Sequence, residues 1–167
     1  AEGFMHNDGI TARIADLGRS QDRQVRIQAA ASLGESKGLA SRLCEVLRRN
    51  LDDRYIRGAV MTGLSGREVA ALRLLAVTGV GVQSDGSRAA MEEIADLALR
   101  AGDSARSDLI DCLADAKLSV CHGIILERFV RAQRLGSDEP RPLTVAREPS
   151  AVMSLGQQEQ ADPRLRT

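Results

Sequence analysis

The stretch DRQVRIQAAASLGES, residues 22–36, returns 31 positions later as DRYIRGAVMTGLSGR, residues 53–67. Overlaid, Asp22 falls on Asp53, Arg23 on Arg54, Val25 on Ile56, Arg26 on Arg57, Ala29 on Val60, Ala30 on Met61 and Leu33 on Leu64. In each copy the apolar positions stand at i, i+4, i+5 and i+8, which is one face of an α-helix. Asp22 and Asp53 sit three residues ahead of the first apolar anchor, where a side-chain oxygen can accept from the free N–H groups of a first helical turn. Gly34 and Gly66 are expected to close the two helices.

A second amphipathic segment precedes each copy. ITARIADLG leads into the first, and GLASRLCEVLRRN, with Leu39, Leu43, Val46 and Leu47 on one side, leads into the second. The unit is therefore helix, turn, helix, with a period near 31 residues. Farther on, REVAALRLLAVTG reads as the first helix of a third pair, and SRAAMEEIADLALRAG places Ala90, Met91, Ile94, Leu97, Ala98 and Ala101 on one stripe. Asp103 or Ser104 is positioned to cap ARSDLIDCLADA, and Ser119 to cap VCHGIILERFVRAQRLG, a segment apolar on most sides and so expected to be deeply buried. Residues 136–149 hold three of the four prolines and read as an extended connection. The organisation expected is a helical array over 1–135, a Pro-rich connection over 136–149, and over 150–167 a short helix and the start of a further, truncated repeat.

Composition narrows the function classes. Lys plus Arg and Asp plus Glu both number 23 in 167 residues, so no net field gathers nucleic acid or an anionic membrane. Aromatic residues make up 2 %, with no Trp and Tyr55 as the only Tyr, which leaves almost no stacking platform for bases. The apolar content is Ala, Leu, Val and Ile, suited to closely packed helices in an all-α fold. Cys44, Cys112 and Cys121 lie in apolar helical contexts, where a thiol acts as a small hydrophobe. No run approaches the length of a membrane span, so membrane insertion is not expected.

The wording Asp-x-x-Val-Arg-x-x-Ala-Ala-x-x-Leu-Gly of Asp22 to Gly34 resembles the second helix of HEAT-like repeats. That resemblance implies a right-handed α-α superhelix, a solenoid of stacked helix pairs. It further implies a ladder in which each Asp caps its own helix and each Arg reaches the Asp of a neighbouring repeat: Asp22, Arg26, Asp53, Arg57, Asp162 and Arg166. The 31-residue period is shorter than the roughly 40–47 of longer HEAT types, and residues 84–137 carry no clean motif. In the order of its segments the chain also resembles the helical section of large secreted bacterial proteins of the planctomycete type. Those join a propeller dehydrogenase-like domain, HEAT-like repeats and a c-type cytochrome domain, which would imply a helical spacer in a periplasmic or secreted redox protein.

Catalytic and cofactor chemistry finds no footing. LSVCHG offers Cys121 and His122, but Leu118 occupies the first thiol position that covalent haem attachment needs. His6, His122 and the scattered cysteines show no zinc-ligand spacing. GLSGRE around Ser65 lacks the full nucleophile-elbow pattern, and GVGVQSDG follows a helix, not the strand a phosphate loop requires. The expectation is a non-catalytic scaffold without cofactor or metal, which binds another protein or flanking domains of the same polypeptide. In a solenoid the second-helix row left free for a partner would draw on Arg23, Gln24, Gln28, Arg54 and Tyr55, with Tyr55 as the anchor.

Overall fold

The structure is a computed structural model that describes residues 8–35, 40–80, 84–134 and 143–147. Among the described residues helices are the regular elements and no strand occurs, residues 143–147 being non-helical: α1 (Asp8–Leu17), α2 (Arg23–Glu35), α3 (Ala40–Arg49), α4 (Arg54–Gly63), α5 (Glu68–Val77), α6 (Asp85–Ala101), α7 (Asp103–Asp111) and α8 (Ser119–Arg134). Two 3-10 turns, Cys112–Ala114 and Ala116–Leu118, separate α7 from α8. Consecutive helices pack as pairs, α1 on α2, α3 on α4 and α5 on α6, and helices two apart also touch, α1 with α3, α3 with α5, α2 with α4, α4 with α6 and α6 with α8.

The duplicated stripes face the interior. Ala29, Ala30 and Leu33 of α2 and Ile56, Val60 and Leu64 of the second copy are buried, while Val25 and Met61 of the expected stripes are half-buried. Ala30, Leu33, Ile56, Val60 and Leu64 join Leu43, Val46, Leu47, Leu72, Leu75, Met91, Ile94, Leu109 and Ile125 in one continuous core. All three cysteines are buried thiols. Burial pushes those of Cys44 and Cys121 up to about 11 and raises that of Cys112 as well.

α2 and α4 make the most intimate pair, and glycine is the reason. An ideal Cβ on Gly34 would lie 2.8 Å from the Gly63 Cα, and one on Gly63 would lie 2.5 Å from the Gly34 Cα. Neither position tolerates a side chain without pushing the helices apart. Gly34 thus serves the approach of two helices rather than closing its own, which runs on to Glu35. Gly66 also lies beyond α4, which stops at Gly63, and its φ of 73° serves the turn into α5. Arg67, in that turn, donates from Nη2 to the carbonyls of Gly34, at 3.3 Å, and Gly63. One cation therefore satisfies orphan acceptors at the C-termini of both helices, where the helix dipoles favour positive charge.

Several expected boundaries differ. α6 buries Ala95 and Leu99 while Leu97 is only half-buried and Ala101 exposed, because α5, α7, α8 and α4 all pack on it and rotate its interior arc. α7 begins after Gly102, whose φ of 125° suits a residue without Cβ, and neither Asp103 nor Ser104 caps it. The helix expected through Ala116 ends at Asp111, and Asp115 rather than Ser119 provides the side-chain cap that follows, accepting from the Lys117 N–H at 2.9 Å. His122 Nε2 stands 3.1 Å from the Cys112 carbonyl and 3.2 Å from that of Asp115, two acceptors that the Nε2–H tautomer serves, so it staples the 3-10 turns to α8. α8 is not deeply buried: Cys121, Ile124 and Ile125 face α6 and the turns, but Leu126 and Val130 are 54 % and 47 % exposed. No described helix packs on that outer side.

Candidate functional site

Arg23, Gln24, Arg54 and Tyr55 lie at the N-terminal ends of α2 and α4, and the geometry there starts from Asp53. As the N-cap of α4 it holds φ −91° and ψ 100°, and its Oδ1 accepts from the N–H groups of Tyr55 at 3.0 Å and Ile56 at 3.4 Å. The same carboxylate receives a two-pronged hydrogen bond from Arg23 of α2, Nε to Oδ2 at 2.8 Å and Nη2 to Oδ1 at 3.1 Å. Arg23 is the principal cause that holds the Asp53 carboxyl down at about 2, against the opposing effect of partial burial; the Tyr55 and Ile56 N–H groups add to it.

Tyr55 is half exposed and stands beside this pair. The Arg23 guanidinium lies 4.2 Å from its ring centroid and that of Arg54 4.7 Å, within cation–π range. Arg54 Nη2 also donates to the Tyr55 hydroxyl at 2.7 Å. The carboxylate fixes one guanidinium, that guanidinium and its neighbour brace the ring, and the ring is held out from the surface.

The expected ladder is present only in part. Arg26 reaches toward Asp53 at 4.0 Å, but the short contact belongs to Arg23. Arg26 Nη1 instead donates to the carbonyls of Ser20 at 2.7 Å and Gln21 at 2.9 Å. Arg57 repeats this role one period later, donating from Nη1 to the Leu51 carbonyl at 2.6 Å and pairing with Glu93 of α6 at 3.2 Å. Both arginines tie the loop ahead of their own helix. Asp22 accepts from the Gln24 N–H at 2.8 Å, as a cap of α2, and stays exposed. Gln24 and Gln28 are exposed on α2, and no side-chain bond joins either to the Tyr55 cluster. Asp162 and Arg166 lie outside the described residues.

Sequence reasoning missed the acids that receive the later arginines. A third register was available: 31 residues beyond Asp53 stands Ser84, and 31 beyond Arg57 stands Arg88. Ser84 caps α6 in a reciprocal box with Ser87. Ser in place of Asp removes the carboxylate at that rung, and Arg57 turns to Glu93. Arg88 pairs with Glu92 and Glu127, each at 2.8 Å, and the buried Arg128 of α8 pairs with Glu92 and lies 3.6 Å from Asp96.

A groove adjoins the Tyr55 cluster through Arg54. Arg54, Gly58 and Met61 of α4 face Glu93, Asp96, Leu97 and Arg100 of α6 across a space of about 270 Å³. On the other flank of α6, Asp96, Leu99 and Arg100 face Arg131 and Ala132 of α8 across about 200 Å³. Among the described residues no group of three or more His, Cys, Asp or Glu side chains is placed to hold a metal ion, and no helix is long and apolar enough to cross a membrane. No protein-family model, curated protein or solved structure matches this chain.

Proposed function

We propose that the protein is a HEAT-like repeat scaffold, a right-handed superhelix of stacked helix pairs, which holds a protein partner and carries out no reaction of its own. The observation that carries this reading is Tyr55. An exposed aromatic ring fixed by two guanidiniums loses little side-chain freedom when a partner covers it, and Tyr and Arg are the residue types that concentrate binding energy at interfaces. The repeat reading draws support from the alternation in which each helix packs on the next but one, and from Arg26 and Arg57 bracing equivalent loops one period apart.

The experiment is site-specific photo-crosslinking in cells that make the protein, with the crosslinking residue at position 55 or, as control, at the exposed Ala116. A discrete adduct from position 55 that is absent from position 116 is expected. Adducts equal at both positions, or none at position 55, would overturn the scaffold assignment.

A further inference from the structure

We infer that the groove across α4, α6 and α8 takes an extended acidic peptide segment of the partner, with carboxylates on Arg54, Arg100 and Arg131 and apolar side chains over Met61 and Leu97. This rests on the scaffold reading and deepens it by naming the chemistry of what is bound.

Charge pairing carries the inference. The groove wall has two carboxylates, and both are already engaged: Glu93 by Arg57 at 3.2 Å and Asp96 by Arg128 at 3.6 Å. Arg100 and Arg131 are exposed and form no ion pair among the described residues. Among the described residues Arg54 is engaged by the Tyr55 ring and hydroxyl and forms no ion pair. In a chain whose overall charges cancel, the inward pairing of the acids leaves a local surplus of guanidinium along one surface.

Shape points to a peptide. The two openings share Asp96 and Arg100, so they lie end to end across α6 rather than forming one deep pocket. A small molecule needs enclosure that neither flank supplies. Three helices side by side at about 8–10 Å present a track of roughly 20 Å, which about six extended residues cover. Nucleic acid fits poorly, because the chain has no net positive charge and aromatic residues make up only 2 % of it.

The test measures fluorescence anisotropy of a labelled peptide of about ten residues, alternating Glu and Leu, with a Lys/Leu peptide and a short oligo-dT as comparators. Saturable binding of the Glu/Leu peptide that weakens with added salt is expected, together with roughly tenfold weaker binding by the Arg100→Ala, Arg131→Ala double variant. Both side chains are exposed, so an unchanged circular dichroism melt is expected to show that variant folded. Equal affinity of variant and parent, equal uptake of the Lys/Leu peptide, tighter binding of oligo-dT, or no saturable binding of the Glu/Leu peptide overturns the inference. If the position-55 adduct forms while the Glu/Leu peptide fails, the groove assignment falls and the scaffold stands. If both are absent, the scaffold falls with it.

Discussion

Replacing Asp53 separates the two tasks its carboxylate performs. Asp53→Ala removes the acceptor for the Tyr55 and Ile56 N–H groups and the partner of Arg23 together. Loss of an N-cap costs about 1 kcal/mol, within a range of roughly 0.5–2. The Arg23 side chain is 48 % exposed, so solvent screens the ion pair and it is credited with about 0.2–1 kcal/mol. Asp53→Ala should therefore cost about 1.5 kcal/mol, a fall of roughly 3–6 °C in Tm for a domain of this size. Asn caps as well as Asp, so Asp53→Asn should lose only the ion pair, about 0.5 kcal/mol. Urea titration followed by far-UV circular dichroism measures both. Acidity supplies the second arm. A carboxyl near 3.9 in the unfolded chain and about 2 in the folded one favours folding above pH 4, and that contribution disappears as pH falls toward 2. The parent should exceed Asp53→Asn in stability at pH 6 and match it near pH 2. Equal losses in the Ala and Asn variants would refute the capping role, and a gap between parent and Asn variant that persists at pH 2 would refute the charged pair.

Gly63→Ala should destabilise by about 1–3 kcal/mol although Ala is the better helix former, because its Cβ meets the Gly34 backbone; a neutral or raised Tm would deny the close approach of α2 and α4. Arg128→Met should cost about 1–3 kcal/mol by denying Glu92 and Asp96 their shared cation, tempered because Glu92 keeps Arg88; an unchanged urea midpoint would argue against that network. Arg147 pairs with Asp108 at 2.8 Å and Asp111 at 2.6 Å and pins residues 143–147 along α7, so Arg147→Ala should speed limited proteolysis near that segment without a large change in Tm. An identical digestion course would count against the clasp. The buried thiols should react with a disulfide reagent at pH 8 only as fast as the chain opens, and prompt labelling of Cys44 or Cys121 in the folded protein would contradict their burial.

The local pattern determined a good deal. Apolar residues at helical spacing in two copies marked the faces of α2 and α4, and Leu43, Val46 and Leu47 marked that of α3. The Asp53 cap was legible because capping depends on residues two and three positions away along the chain. The same holds for the alternation of helices, which follows from short connections between amphipathic segments.

Tertiary contact decided the rest. Gly34 reads as helix punctuation in the sequence and Gly63 carries no signal there, and only the facing helix shows them as the place where two backbones meet. Arg23, not Arg26, takes the short bond to Asp53, because which of two arginines on one helix reaches a neighbour depends on how that neighbour is rotated. The groove residues Arg100 and Arg131 carried no motif at all. Their significance arises because Arg57 and Arg128 engage the acids beside them. A helix periodicity is a property of residues a few positions apart, and the sequence by itself determined that much. A charge left without a partner is a property of residues far apart in the chain, and only packing in three dimensions decides it.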